Sequence, residues 1–182
     1  GAVKNWGFAT TNLAASDFGI YQSNSNGGDP ITAGSPKIYF NGSGKVGIGA
    51  TSIDSDSLVH LKSNIPNIFF EDTDDNQDWR LEATSVFKLQ DVTRGAEVFR
   101  IDNSGAVGIG QVPETARFSG HDILQVGGRA TFLGNDTVTS TGQTVLLDNL
   151  YYDASGNFQH RGDSRGVAMQ FVEGQVIFSN SN

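Results

Sequence analysis

The sequence contains no cysteine, and it has little of the material from which a compact core is usually built. Its 182 residues include one methionine and four prolines, and 37% of them are hydrophobic. The absence of cysteine excludes disulfide bonds and thiolate metal sites. No apolar stretch is long enough to cross a membrane as a helix, so we expect no membrane insertion. The stability of the chain must come from another source, such as burial between chains.

Positive charge is also scarce. The 12 Lys and Arg residues are outnumbered by 20 Asp and Glu residues, which gives a net charge of −8. Because an acidic chain repels phosphate backbones and anionic lipids, we expect neither nucleic acid nor a membrane surface as a partner. The sequence does not begin with a basic segment followed by an apolar one, so no signal peptide is visible. The chain begins at Gly1 and ends in SNSN, and we expect it to be an internal piece of a longer protein.

Glycine, in contrast, is abundant, with 23 residues, and some of it recurs in a repeat. The tetrapeptide Val46-Gly47-Ile48-Gly49 returns as Val107-Gly108-Ile109-Gly110. Each copy follows an apolar stretch and a short polar turn rich in Asn, Asp, Ser and Gly. This order of segments is typical of a β-hairpin.

The similarity extends to both sides of the VGIG motif. Downstream, residues 57–61 resemble residues 122–126, and this alignment places His60 opposite Gln125. Upstream, Trp79-Arg80-Leu81 and Phe87-Lys88-Leu89 resemble Trp6-Gly7-Phe8 and Phe18-Gly19-Ile20. The repeats predict a partial unit at 1–49, a complete unit at 50–110 and a divergent unit without VGIG at 111–182.

The apolar stretches are short and rich in Val, Ile, Phe and Thr, and Gly, Asn, Asp or Ser separates them. We therefore expect an all-β fold of hairpin units with long loops. Glycine is unfavourable inside a strand, so two glycines at alternate positions of a repeated strand indicate that another backbone or an aromatic ring lies close to them. The Val/Ile face of the same strand would supply the buried contact.

Each hairpin unit offers few large apolar residues, and a single chain would leave strand edges unpaired. Several identical chains wound around a common axis would bury more surface and would close those edges. The alternative is a monomeric β-sandwich in which the glycines form bulges. We favour the assembly of several chains because few strands end in a clear two-residue hairpin turn.

A strand, an N/D-x-S-G turn, a [KA]-V-G-I-G strand and an L-x-V-type strand together resemble the VGIG repeat of bacteriophage tail fibres and tailspikes. Residues 79–81, 99–101 and 149–153 are also similar to stretches of such fibres. The resemblance implies an elongated, fibrous, intertwined homotrimer of β-hairpin units that belongs to a virion, with other tail or fibre proteins as partners. The family usually continues G-T-T-x-P after VGIG, whereas this chain continues with Ala50-Thr51-Ser52 and Gln111-Val112-Pro113.

The densest acidic run, residues 71–78, carries oxygen ligands at alternate positions, as a calcium-binding loop does. The candidate ligands of a structural divalent cation are Asp72, Asp74, Asn76 and Asp78. Gln77 and Ala83 stand where an EF-hand needs Gly and Glu, so that motif is excluded. A looser cation site and a solvated turn remain open, and no other cofactor is predicted.

Aromatic residues beside short polar side chains are candidates for binding sugar. The candidate receptor-binding or glycan-binding residues are Tyr151, Tyr152, Asp153, Asn157 and Phe158. Successive residues of a strand face opposite ways, so we expect either Tyr151 or Tyr152 to face outward. The alternative for each ring is packing in a core or between chains, because aromatic residues bury large areas.

The predicted function is that of a structural and adhesive segment of a phage tail fibre, located in the virion, that supports or forms a region binding a host polysaccharide or another receptor. A bacterial cell-surface adhesin or filament protein with the same repeat is one alternative. A polysaccharide-degrading tailspike is another. We expect no enzyme, because the sequence shows no nucleophile motif and no recognisable pair of catalytic carboxylates.

Overall fold

The computed structural model describes residues 3–114, 121–135, 142–162 and 165–181, and the regular elements in these residues are all β-strands. The predicted all-β fold is therefore confirmed. The chain divides into two units, Gly1–Pro66 and Asn67–Asn182, each with its own sheet. The repeat boundaries predicted after residues 49 and 110 mark the ends of the VGIG motifs. They lie inside these units and differ from the division after Pro66.

The first unit is a five-stranded sheet whose strands lie in chain order. The strands are β1 (Lys4–Thr10), β2 (Phe18–Asn26), β3 (Gly34–Phe40), β4 (Val46–Ile48) and β5 (Val59–Leu61). Neighbours are antiparallel, except that β4 and β5 are parallel. Large apolar residues alternate with smaller or polar ones along these strands, so one face of the sheet is apolar.

The second unit is a ten-stranded sheet with a separate two-stranded hairpin. Its strands are β6 (Asn67–Phe70), β7 (Trp79–Ala83), β8 (Phe87–Asp91), β9 (Ala96–Ile101), β10 (Val107–Ile109), β11 (His121–Val126), β12 (Ala130–Asn135), β13 (Gln143–Asp148), β14 (Leu150–Tyr152), β15 (Phe158–His160), β16 (Gly166–Val172) and β17 (Gln175–Ser181). The sheet runs from β6 to β13 and continues with β16 and β17. Its β10 and β11 are parallel, and its other neighbours are antiparallel.

The repeat in the sequence is also a repeat of strand pairing. We call β1–β5 the first module and β7–β11 the second module. Gly47 lies opposite His60 across β4 and β5, and Gly108 lies opposite Gln125 across β10 and β11, so the predicted alignment of His60 with Gln125 is confirmed. A register shift also recurs in both modules, between the second and third strands. Because register decides which residues share a face, equivalent positions of the two modules lie on equivalent faces.

One face of each sheet is partly covered by other parts of its own unit. In the first unit, Tyr21, Tyr39 and Ala50 are the buried hydrophobic residues. In the second unit, the hairpin β14–β15 packs over the sheet and completes its core. This core consists of Ala106, Ile123, Leu133, Val145, Leu147 and Ala168 together with Leu150 and Tyr152 of the hairpin.

The opposite face of each sheet is apolar and exposed, and we call it the open face. In the second unit, one row of paired residues crosses nine strands: Ala83, Phe87, Ile101, Val107, Leu124, Phe132, Leu146, Met169 and Phe178. A neighbouring row crosses seven strands: Ile68, Leu81, Leu89, Phe99, Ile109, Val126 and Ala130. At an interstrand spacing of about 4.8 Å, the longer row extends for roughly 40 Å.

The first unit has an open face of the same kind. One row across its five strands consists of Phe8, Ile20, Ile38, Ile48 and Leu61. The ring centroids of Phe18 and Phe40, in the next row, lie 5.7 Å apart. The Val/Ile face of the VGIG strands was predicted to be a buried contact, but Ile48 and Ile109 are 45% and 41% exposed in the single chain. A buried contact of this face would therefore need a partner outside the single chain, and it stays a prediction.

Candidate functional site

The first glycine of each VGIG motif lies beneath the backbone that follows the motif. A Cβ atom on Gly47 would clash with the carbonyl oxygen of Ala50, and one on Gly108 would clash with the carbonyl oxygen of Gln111. The second glycine has a φ of +71° in the first motif and +66° in the second, a region that favours glycine. The predicted close approach is confirmed at Gly47, Gly49 and Gly108, where the approaching backbone belongs to the same chain. It is wrong at Gly110, where a Cβ atom would meet no atom within 4 Å.

An Asx turn precedes each VGIG strand, and the same turn occurs a third time. One side-chain oxygen of Asn41, Asp102 or Asp153 accepts hydrogen bonds from the backbone N–H groups two and four residues later, at 2.8–3.0 Å. The glycine three residues after each of these has a φ between +78° and +84°. The sequence D-A-S-G indicates a turn at this third position. Because no VGIG motif follows it, its equivalence to the turns at Asn41 and Asp102 was not recognised from the sequence.

The third hairpin, β14–β15, differs from the other two because it lies over the sheet and not within it. Tyr151 pairs with Gln159 there, as Tyr39 pairs with Gly47 in the first module. The position of the first VGIG glycine is therefore occupied by Gln159. Its Nε2 donates a hydrogen bond of 2.8 Å to Oδ2 of Asp153, which ties the second strand of the hairpin to its turn.

The five predicted receptor residues fall into different environments. Tyr152 is 9% exposed and belongs to the core, and its ring centroid lies 4.4 Å from that of Phe158. Asp153 uses one carboxylate oxygen for the turn and the other for Gln159, and these bonds lower its pKa. Tyr151 is partly exposed, and Asn157 is exposed. These last two are the members of the set that are best placed to meet a ligand.

Arg161 fixes the third hairpin to the sheet. Its Nη2 donates to Oγ1 of Thr131 at 2.9 Å, and its Nε donates to the carbonyl oxygen of Leu150 at 3.1 Å. The guanidinium carbon also lies 5.7 Å from the centre of the Tyr151 ring, within the range of a cation–π contact. Burial lowers the pKa of Arg161, whereas Glu114 and Tyr151 act in the opposite direction.

The acidic run forms a turn between β6 and β7. Oδ1 of Asp72 accepts hydrogen bonds from the backbone N–H groups of Asp74 and Asp75, at 3.1 and 3.3 Å. Oδ1 of Asp78 accepts one from the N–H of Asp72 at 3.1 Å, and Asn76 has a φ of +53°. In the part of the chain that the structure describes, no group of three carboxylates or imidazoles is placed to hold a metal ion. The cation site stays a prediction.

A ladder of five alternating charges crosses β7–β9 on the face opposite the open face. We call Arg80, Glu82, Lys88, Glu97 and Arg100 the charged ladder. Glu82 lies 3.7 Å from Arg80 and 3.0 Å from Lys88, and Glu97 lies 3.5 Å from Lys88 and 2.8 Å from Arg100. Burial opposes ionisation of Glu97, but Arg100 and Lys88 prevail and lower its pKa. Charged residues at alternate positions of β7 indicate in the sequence that one face of this strand is charged. The ladder also depends on the register between β8 and β9, which could not be predicted from the sequence.

The first module has no such ladder, because loops cover the equivalent face. Gly7 and Gly19 stand where the second module has Arg80 and Lys88. A Cβ atom on Gly7 would lie 2.8 Å from Cγ of Pro30, in the loop between β2 and β3. That loop spans residues 27–33, and the one before it spans 11–17, whereas the second module has shorter turns at 84–86 and 92–95.

Asp17 closes the loop between β1 and β2. Its carboxylate accepts hydrogen bonds from the backbone N–H groups of Asn12, Leu13 and Ala14 at 2.8–2.9 Å, although the residue is 3% exposed. Burial alone would raise the pKa of Asp17, but these donors and the hydroxyl of Tyr39 lower it below 3.8. The carboxylate is therefore bound in its charged form.

No protein-family model matches the chain, and no curated protein sequence matches it significantly. The likeness to tail-fibre repeats thus depends on the sequence motif. None of the described segments forms a helix with the length and apolar character needed to span a membrane.

Proposed function

We propose that this chain is a structural and adhesive segment of a bacteriophage tail fibre, in which three copies assemble through their open faces. The open face is the observation that carries the proposal. Phe132, near the middle of the longer row in the second unit, is 45% exposed, and Phe178 at the end of the same row is 71% exposed. Monomeric soluble proteins rarely expose a contiguous apolar patch larger than a few hundred Å². An apolar partner surface would remove this patch from water.

Further copies of the same chain are the partner that the repeat favours. Both modules have an open face with the same strand registers, so identical chains arranged around one axis bring like surfaces together in each unit. Cyclic symmetry gives every copy the same buried surface. In each unit, the covered face with its turns and loops then points away from the partner copies.

The adhesive part of the proposal rests on the third hairpin. Its core side is fixed by Leu150 and Tyr152, whereas Tyr151 and Asn157 keep solvent contact. Rigid positioning of an amphipathic ring next to polar groups suits a saccharide ligand. Three copies in one fibre present three such sites, so weak individual contacts combine into strong attachment.

The oligomeric state is tested by light scattering. We expect a particle of three times the 19.4 kDa chain mass. Phe132→Asp places a charge in the middle of the open face and is expected to dissociate the particle. The matched control is Leu58→Asp, which alters a loop side chain that is already 76% exposed. A wild-type protein that is monomeric at all concentrations would overturn the trimer.

The location is tested by electron microscopy with gold-labelled antibodies raised against this chain. Labelling of the tail fibres of intact virions is the expected result. Labelling of filaments on a bacterial surface would replace the proposal by the adhesin. Release of reducing sugar ends from host polysaccharide by the purified chain would replace it by the degrading tailspike.

A further inference from the structure

We propose that the charged ladder of β7–β9 binds an oxyanion carried by an acidic polysaccharide, such as the carboxylate of a uronic acid. This inference deepens the adhesive role, and it relies on the proposed function only for the number of sites in one particle. The residues are not those of the third hairpin. The ladder would add an anion-binding site to a chain whose net charge is negative.

The order of charges in the ladder leaves one anion missing. Each of the two carboxylates contacts two cations, and the series begins with Arg80 and ends with Arg100. The Nε atoms of both terminal arginines make no hydrogen bond, but they are buried, and Nε of Arg80 lies 3.7 Å from Oε2 of Glu82. A ligand would therefore meet the outer part of the Arg80 guanidinium, whose side chain is 33% exposed. Three cations face two anions, so the ladder has an excess of one positive charge. An additional oxyanion at one end would balance the charge and accept hydrogen bonds from a guanidinium group.

The ladder is held in place before any ligand arrives. The side chains of Glu82 and Lys88 are 10% and 18% exposed, and that of Arg100 is 20% exposed. Nη2 of Arg80 donates a hydrogen bond of 3.1 Å to Oε1 of Gln90 on the neighbouring strand. Fixed side chains lose little conformational freedom when a ligand binds, which favours affinity. The planar guanidinium matches the geometry of a carboxylate, which favours arginine over lysine for this contact.

The ladder is partly accessible, because its side chains are 10–33% exposed and Arg80 is the most exposed of them. It lies on the face opposite the open face, so an assembly through the open faces does not cover it. The turns at 84–86 and 92–95 are short, whereas longer loops fold over the equivalent face of the first module. The net charge of −8 does not prevent binding at physiological salt, because charges more than about 8 Å away are largely screened.

Isothermal titration calorimetry with three polymers tests the site. The probes are polygalacturonate, dextran sulfate and neutral dextran, each titrated into the purified full chain. We expect binding of polygalacturonate and none of dextran. In the double variant Arg80→Gln with Arg100→Gln, affinity should fall about tenfold or more, as for loss of charge-assisted contacts. Arg129→Gln is the matched control, because Arg129 forms an exposed bidentate pair with Asp148 outside the ladder.

The results distinguish the ladder site from non-specific binding and from a site for sulfate esters. Equal binding of polygalacturonate and dextran, unchanged affinity of the double variant, or an equal loss in Arg129→Gln would overturn the ladder site. A preference for dextran sulfate over polygalacturonate would retain the site and assign it to sulfate esters. If the double variant does not fold, as judged by circular dichroism, Arg80→Gln alone decides, since Arg80 is the most exposed of the five at 33%.

The same samples are also measured by light scattering, which separates the two proposals. A trimer that does not bind polygalacturonate would overturn the ladder site and leave the assembly intact. A monomer that binds through the ladder would overturn the assembly and leave the site intact.

Discussion

The carbonyl oxygen of Ala50 lies against Gly47 so closely that the α-carbon has no room for a side chain. The same contact joins Gln111 to Gly108 in the second module. The chain turns back over its own strand directly after each VGIG motif. The motif is therefore explained by local geometry in a single chain, and it does not by itself require contact with a second copy.

Replacement of Gly47 by alanine should lower the free energy of unfolding by about 1–3 kcal/mol, because the new methyl group forces the backbone apart. Gly134→Ala is the control, since a Cβ atom at Gly134 would meet no atom within 4 Å and its φ is not positive. That change should leave stability unaltered or raise it by about 0.4–1 kcal/mol. Urea unfolding at one fixed protein concentration measures both variants. Equal losses would contradict the close-contact explanation.

The Asx turns predict that Asn and Asp can replace each other at the equivalent turn positions of the two modules. Asp102→Asn gives the second module the residue that the first has at Asn41, and Asn41 makes the same two bonds through Oδ1. We therefore expect a change below about 0.5 kcal/mol, whereas Asp102→Ala should cost about 1–2 kcal/mol by losing those bonds. Thermal unfolding of the three proteins side by side checks the order. An asparagine variant as unstable as the alanine variant would show that charge, and not the turn, is what matters.

Asp17 predicts a loss of stability in acid. Its pKa is lower in the folded chain than the ordinary 3.8, so its contribution is fully present above that value and is lost as the pH falls through the folded pKa. The melting temperature should therefore drop as the pH falls below about 4. Asp17→Asn should melt lower than the wild type at pH 7 and should show a smaller drop in acid. An identical pH dependence in both proteins would exclude Asp17 as a source of the effect.

The two neighbouring tyrosines should behave differently. Tyr152→Ala removes a core ring that contacts Phe158 and should cost about 3–5 kcal/mol of stability, the range for buried aromatic residues. Tyr151→Ala removes a partly exposed ring and one cation–π contact, and should cost about 1 kcal/mol or less. Host-cell binding should fall in the folded Tyr151→Ala protein. If Tyr151→Ala binds cells like the wild type, Tyr151 is not a receptor contact.

Local patterns were enough to predict the strands and the repeat, because the turn residues and VGIG glycines act within a few positions of one another. The alignment of His60 with Gln125 also followed from sequence, since both residues lie opposite the first VGIG glycine. The third hairpin could not be placed in this way. Nothing between Asp153 and Gly156 indicates that the hairpin leaves the sheet, because that depends on the core formed by Leu133, Val145 and other distant residues.

The open face and the charged ladder are the two surfaces that sequence alone left undefined. Single strands show which residues alternate, but the width of the open face depends on strand order in the sheet. The ladder depends in addition on the register shift between Leu89 and Gln90, which sets the position of Glu97 relative to Lys88 and Arg100. A shift by one residue would move these charges to the opposite face.

Parallel pairing at the end of each module has a consequence for how such chains lengthen. The strand β11 is the last of the second module, and its free side pairs with β12, which begins the next segment. The terminal strand of the second module thus also pairs with the segment that follows it, whereas β5 of the first module pairs only with β4 and ends its sheet. A further segment could be added or lost after such a strand without a change in the residues inside the module. The number of modules could therefore change separately from the sequences of their loops.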